Sequence, residues 1–104
     1  MTTNKELLDI RENETPMGVG IQTSVFVGKA RNAEIWDVEG NRYIDMGMGI
    51  AVCNTGHCHP KVVAAAQAQC EQFTHTAFQV CAYEPYIALA ERLNALAPMN
   101  DAKS

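Results

Sequence analysis

A chain of 104 residues with 47% apolar and 19% charged residues is long enough for one small domain and too apolar for a disordered segment. The net charge of −4 is mild, and the eight basic residues are scattered from Lys5 to Lys103. No basic stripe exists to meet phosphates, which argues against nucleic-acid and anionic-membrane binding. No run approaches the roughly 20 apolar residues of a membrane span. Met1 to Glu6 carries no apolar signal region, so the cytoplasm is the expected location, with Cys53, Cys58, Cys70 and Cys81 as free thiols.

Thr3 and Glu6 stand three apart before Leu7, Leu8 and Ile10, a capping-box pattern that opens a helix ended by Glu12 to Glu14 and Pro16. Gly18-Val19-Gly20 reads as a loop. Ile21 to Val27, Ala33 to Val38 and Arg42 to Met46 read as strands, punctuated by Gly28 and Asn32 and by the turn Glu39-Gly40-Asn41. They predict an antiparallel meander over residues 21–46. Trp36 and Tyr43 are expected to pack across its hairpin, and Asp37, Glu39 and Asp45 to face solvent or end strands.

Gly47-Met48-Gly49 and Asn54-Thr55-Gly56 bracket a loop. Pro60 suits the first turn of a helix, and Val63, Ala66, Cys70 and Phe73 recur at helical spacing. Thr74 to Ala82 reads as irregular. Pro85 opens a further helix, with Leu89, Leu93 and Leu96 as its expected buried stripe, Tyr86 and Ala90 adjacent, and Pro98 as its end. The fold class is therefore α/β, or α+β within these residues alone. No sheet here is large enough to cover both later helices, so part of the core is expected to be missing.

Gly47-x-Gly49 fails as a dinucleotide fingerprint, because the third glycine would fall at Val52. A tight loop permitting close backbone approach fits better. Cys53, His57, Cys58 and His59 offer zinc-type ligands at poor spacing. The plainer reading is that His57 and His59 bond backbone groups at the loop–helix junction and the cysteines act as small apolar side chains. Cysteine–histidine catalysis, from Cys53 or Cys58 with His57 or His75, needs spatial pairing that spacing does not supply. Polar and aromatic residues of His75-Thr76-Ala77-Phe78-Gln79, between two helices, could line a pocket.

The segments Trp36 to Asp45, Ile50 to Pro60, His75-Thr76, Phe78-Gln79-Val80 and Ala82 to Tyr86 together resemble, in order and without gaps, the N-terminal part of the class-III ω-aminotransferases, most closely those acting on 4-aminobutyrate. These enzymes depend on pyridoxal 5′-phosphate (PLP). The resemblance implies a fold-type-I enzyme that moves an amino group from an ω-amino acid to 2-oxoglutarate and assembles as a homodimer or tetramer. It implies that residues 1–47 join the small domain, while residues 48–104 form the substrate-side loop and first helices of the large PLP domain. By position, Ile50 matches an apolar wall beside the substrate and Gln79 a site near substrate and cofactor. None of Lys5, Lys29, Lys61 or Lys103 matches the Schiff-base lysine, so no catalytic residue is expected in these 104, no cofactor-binding residue is singled out, and no metal ligand is expected. The chain alone is expected to be inactive and unable to hold PLP stably. Met46-Gly47-Met48 departs from the family pattern beside the substrate loop and leaves the exact amino donor open. Two other classes remain: a standalone dimerisation module derived from an aminotransferase, and a thiol or metal protein built on Cys53 to His59.

Overall fold

The computed structural model describes residues 2–104. Seven elements follow in order: α1 (Asn4–Glu14), β1 (Val27–Arg31), β2 (Glu34–Asp37), β3 (Arg42–Ile44), α2 (Met48–Ala51), α3 (Pro60–Cys70) and α4 (Glu84–Leu96). The architecture is the expected mixture of helices and a small antiparallel sheet. Two compact units divide it, Met1–Ala66 and Gln67–Ser104. The expected division near residue 47 concerns the family's two domains and is a different boundary.

In the first unit, α1 starts as its sequence dictates. The Thr3 hydroxyl accepts from Glu6 N–H, and Glu6 Oε2 accepts from Thr3 N–H at 2.8 Å. The sheet has the order β1-β2-β3, but its first strand is Val27–Arg31, later than the expected Ile21 to Val27. Two features move it. Gly28 sits at an irregularity in the β1–β2 register, where an added Cβ would lie 3.3 Å from the Asp37 carbonyl oxygen. Asn32, at φ 51°, supplies the left-handed residue of a two-residue turn between paired Arg31 and Glu34. Trp36 pairs with Arg42 and Tyr43 with Ile35, so the two aromatic rings do not face each other. Lys29 Nζ instead lies 4.7 Å from the Trp36 ring centroid.

In the second unit, α4 opens on Glu84 with proline in its first turn. An aromatic group links it to the preceding segment: Phe78 lies 5.2 Å from Tyr83 and 4.4 Å from Tyr86, and Phe73 lies 5.6 Å from Tyr83. α3 stops at Cys70, short of Phe73.

The expected buried leucine stripe is absent. Leu89, Leu93 and Leu96 are all exposed, as is Tyr86. Among the described residues no hydrophobic side chain is fully buried, and Asp37, at 4% exposure, is the one buried residue. The apolar faces exist, but no layer within these residues covers them.

Candidate substrate loop and its supports

The loop after β3 begins at Asp45. Its backbone N–H donates to Ala33 O at 2.9 Å, which ties it to the first hairpin. Its Oδ1 accepts from Gly47 N–H and Met48 N–H, both at 2.9 Å, an Asx turn signalled by Asp-x-Gly in the sequence. Its Oδ2 faces His57 Nε2 at 2.6 Å. The His57 hydrogen bond, followed by that from Met48 N–H, outweighs partial desolvation and lowers the Asp45 carboxyl below its ordinary value.

Between these supports, Met48, Gly49, Ile50 and Ala51 all have positive φ, from 45° to 64°. α2 is thus a left-handed turn, closed by Ala51 N–H to Gly47 O at 3.1 Å and Cys53 N–H to Met48 O at 2.9 Å. Left-handed geometry suits Gly49; for β-branched Ile50 it is strained. Ile50 is 95% exposed at the crest of this turn.

The far end of the loop is clamped as firmly. His57 and Asn32 exchange two backbone hydrogen bonds, of 2.9 and 3.0 Å. Gly56, at φ 85°, packs so closely that an added Cβ would stand 2.9 Å from Asn32 Cα. The His57 ring therefore engages a carboxylate, correcting the expectation that it bonds backbone. The His59 ring does meet backbone: its Nδ1 accepts from Lys61 N–H at 3.3 Å at the start of α3.

Asp37 ends β2, one of the two placements expected of it, but it is buried and does not face solvent. It accepts from the side chains of Asn4, Asn41 and Tyr43 at 2.9, 3.0 and 3.1 Å, and from Asn41 and Glu39 N–H. Burial pushes its carboxyl up, but the hydrogen bonds, led by those from the Asn41 and Asn4 side chains, prevail and hold it well below the ordinary range.

In the second unit, Gln79 is exposed within a turn closed by Val80 N–H to Ala77 O at 2.7 Å and Thr76 Oγ1 to Cys81 O at 2.8 Å. A cavity of about 160 Å³ nearby in sequence is lined by Gln69, Phe73, Thr74, His75, Tyr83 and Pro85. His75 thus lines a pocket, as its segment suggested, whereas Gln79 is not among that pocket's residues.

Among the described residues, Cys58, Cys70 and Cys81 are exposed free thiols and Cys53 is half-buried, so the cysteines do not serve as buried apolar side chains. No three His, Cys, Asp or Glu side chains among the described residues gather as a metal site would require. No described helix is long and apolar enough to cross a membrane.

Lys29 is taken up by Trp36, while Lys5, Lys61 and Lys103 lie in α1, α3 and the C-terminal tail. The ion pairs among the described residues join Arg42 to Glu34 and His57 to Asp45, and none involves a lysine.

Residues 17–103 match the family model described as Aminotransferase class-III. The sequence is 52% identical to 4-aminobutyrate aminotransferase GabT of Escherichia coli over 99% of this chain and 24% of that one. It is 53% identical to 5-aminovalerate aminotransferase DavT of Pseudomonas aeruginosa over 92% of this chain and 22% of that one. The fold matches the crystal structure of taurine:2-oxoglutarate aminotransferase from Bifidobacterium kashiwanohense in complex with PLP and glutamate. That likeness has a TM-score of 0.74 and 27% identity, covering 94% of this chain and 22% of that one. The chain thus spans about a quarter of the length of the curated relatives it matches.

Proposed function

The chain belongs to the class-III aminotransferase family, and from that premise we propose that it is the N-terminal part of a PLP-dependent enzyme. The reaction moves the amino group of 4-aminobutyrate, or a similar ω-amino acid, to 2-oxoglutarate. The observation that carries this reading is the 52% identity to a 4-aminobutyrate aminotransferase along nearly the whole chain. The comparable identity to a 5-aminovalerate enzyme keeps the donor at the level of a short ω-amino acid.

In this reading the chain contributes substrate-side surface. Ile50, stiff and exposed on its left-handed turn, walls the donor's methylene chain. Gln79 presents an amide that can both donate and accept. Residues 1–47 belong to the small domain and residues 48–104 open the large one. PLP, when bound, supplies the electron sink for amino transfer; the lysines here do not fit its anchor, and no step through it is assigned to them. The 104 residues alone neither hold PLP stably nor transaminate. The whole protein is cytoplasmic and works as a homodimer or tetramer. The lack of any fully buried hydrophobic side chain among the described residues supports the reading as a part of a larger core.

The test is a chimera in which residues 1–104 replace the matching quarter of E. coli GabT, assayed for amino transfer from 4-aminobutyrate and 5-aminovalerate to 2-oxoglutarate. The expected result is transfer by the chimera and none by the pure 104-residue chain. A folded, PLP-loaded chimera that uses neither donor overturns the reading of the substrate. Transfer by the isolated chain overturns the assignment of its residues to a supporting role.

A further inference from the structure

We propose that Asp45 and His57 are positioning residues for the donor: through the 2.6 Å contact between Asp45 Oδ2 and His57 Nε2, they hold the left-handed turn that presents Ile50. This rests on the reading of Ile50 as a substrate wall.

A run of four positive-φ residues, three of them not glycine, does not persist by local preference. Each L-residue in that region is disfavoured by roughly 1–2 kcal/mol. Such a turn survives only when its surroundings over-determine it. Apolar packing within these residues does not do so, because against them Ile50 is 95% exposed and Val52 79% exposed. The constraint comes from hydrogen bonds at the two ends of the loop. At the entrance, Asp45 Oδ1 fixes Gly47 N–H and Met48 N–H. At the exit, His57 is fixed by its double backbone bond to Asn32. The contact from Asp45 Oδ2 to the His57 ring joins entrance to exit and completes a closed circuit around residues 46–56.

With its first oxygen on the Gly47 and Met48 amides, Asp45 meets the His57 ring with its second. The depressed Asp45 carboxyl, attributed first to His57 and next to Met48 N–H, agrees with a carboxylate serving both partners at once. Asp45 and His57 are assigned no contact with the reacting atoms. They act through Ile50, by fixing where its side chain stands.

The test compares His57→Gln with His57→Asn in the GabT chimera. Glutamine extends its amide to about the position of Nε2 and retains a donor for Asp45; asparagine is one methylene shorter and falls short. Both keep the backbone bridge to Asn32. The expected result is that His57→Asn raises KM for 4-aminobutyrate about tenfold, the scale on which a misplaced apolar wall discriminates, with a smaller change in kcat. The preference between 4-aminobutyrate and 5-aminovalerate should narrow, and His57→Gln should restore both values. Loss of folded enzyme alone would lower kcat for both donors equally and leave KM in place. Unchanged KM and donor preference in His57→Asn, or equal damage in the two variants, overturns the proposal. An inactive parent chimera strikes the substrate reading instead, so the two failures are distinguishable.

Discussion

Asn4 Nδ2 donates to Asp37 Oδ2 at 2.9 Å and joins the first turn of α1 to the end of β2 across 33 residues of sequence. The same amide nitrogen reaches Glu39 Oε2, and Asn4 Oδ1 accepts from Phe26 N–H at 2.8 Å. One side chain thus fastens the helix, the hairpin turn and the approach to β1.

Replacing Asn4 by Ala should therefore free α1 from the sheet without unfolding the sheet. A net hydrogen bond is worth about 1 kcal/mol, and several are lost together. Amide exchange at Phe26 in the GabT chimera should accelerate by about tenfold or more. Exchange at Asp45, whose N–H bonds Ala33 O beside the sheet, should change little. Equal acceleration at both would show that α1 is not a separable attachment.

The groups around Asp37 set a pH window. The depressed Asp37 and Asp45 carboxyls contribute stability that is fully present above the ordinary aspartate value, about 3.9. It is lost as pH falls through their lower folded values. Tyr43 is displaced in the opposite sense. Its bond to Asp37 raises it first, helped by desolvation and the nearby negative charges. Its contribution is present below about pH 10 and is lost as pH rises through the higher folded value. Trp36 fluorescence should be flat between these limits and change beyond each. Tyr43→Phe should remove the alkaline change, while Asp37→Asn should weaken the acid one. A Tyr43 absorbance titration at the ordinary phenol value would contradict the hydrogen bond to Asp37.

These groups show what the sequence makes legible. The Thr3–Glu6 cap, the turn at Gly40 and the proline-led starts of α3 and α4 depend on neighbours three or four residues apart, so spacing reveals them. Asp37 with Asn4, and Asp45 with His57, are partners across 33 and 12 residues, and no periodicity reports such a pair. The shift of β1 has a local cause: the turn falls at Asn32 as its punctuation suggests, but Gly28, read as a break, lies inside the strand at a register irregularity. The left-handed turn at Met48–Ala51 is hidden because only one of its four residues is glycine. The leucines of α4 do recur at helical spacing, but spacing identifies a face and not the layer that covers it. As for the candidate site, the proposal of Ile50 and Gln79 rests on family likeness alone, while the supports of Ile50 emerge only from the three-dimensional contacts.

Gly56 is the tightest point of the loop's exit. Its φ of 85° disfavours any side chain, and a Cβ would press on Asn32 Cα at 2.9 Å. Gly56→Ala should cost about 1–3 kcal/mol and break the Asn32–His57 bridge. The GabT chimera should melt at a lower temperature, with faster amide exchange at Asn32 and His57. Gly18→Ala, where an added Cβ meets nothing within 4 Å, should leave both measurements near the parent's. Similar effects from the two changes would remove the special standing of Gly56.

Ile50→Gly separates strain from function. Ile50 is 95% exposed within these residues, so its removal forfeits little burial against them, and glycine relieves roughly 1–2 kcal/mol of left-handed disfavour. The chimera should be as stable as its parent or more so, yet bind 4-aminobutyrate worse, with KM raised about tenfold. Ile50→Val keeps a β-branched wall and should bind nearly as the parent does. A glycine variant with unchanged KM would remove Ile50 from the donor site.

The isolated chain offers a last prediction, on cohesion. Its described residues include no fully buried hydrophobic side chain, and Ile87, Leu89, Leu93 and Leu96 of α4 stand open to solvent. Secondary structure can form under those conditions, through caps, turns and the sheet's own bonds, but a cooperative core cannot. Pure residues 1–104 should show helical far-ultraviolet circular dichroism, bind a hydrophobic dye and lose structure gradually on heating. In the chimera the same residues should melt in one transition and bind little dye, because the remaining three quarters of the enzyme cover those faces. A sharp, concentration-independent melt of the isolated chain would show that it builds a core by itself and would revive the reading as a self-standing module. A melt that sharpens with concentration would mean that a second copy covers the α4 face.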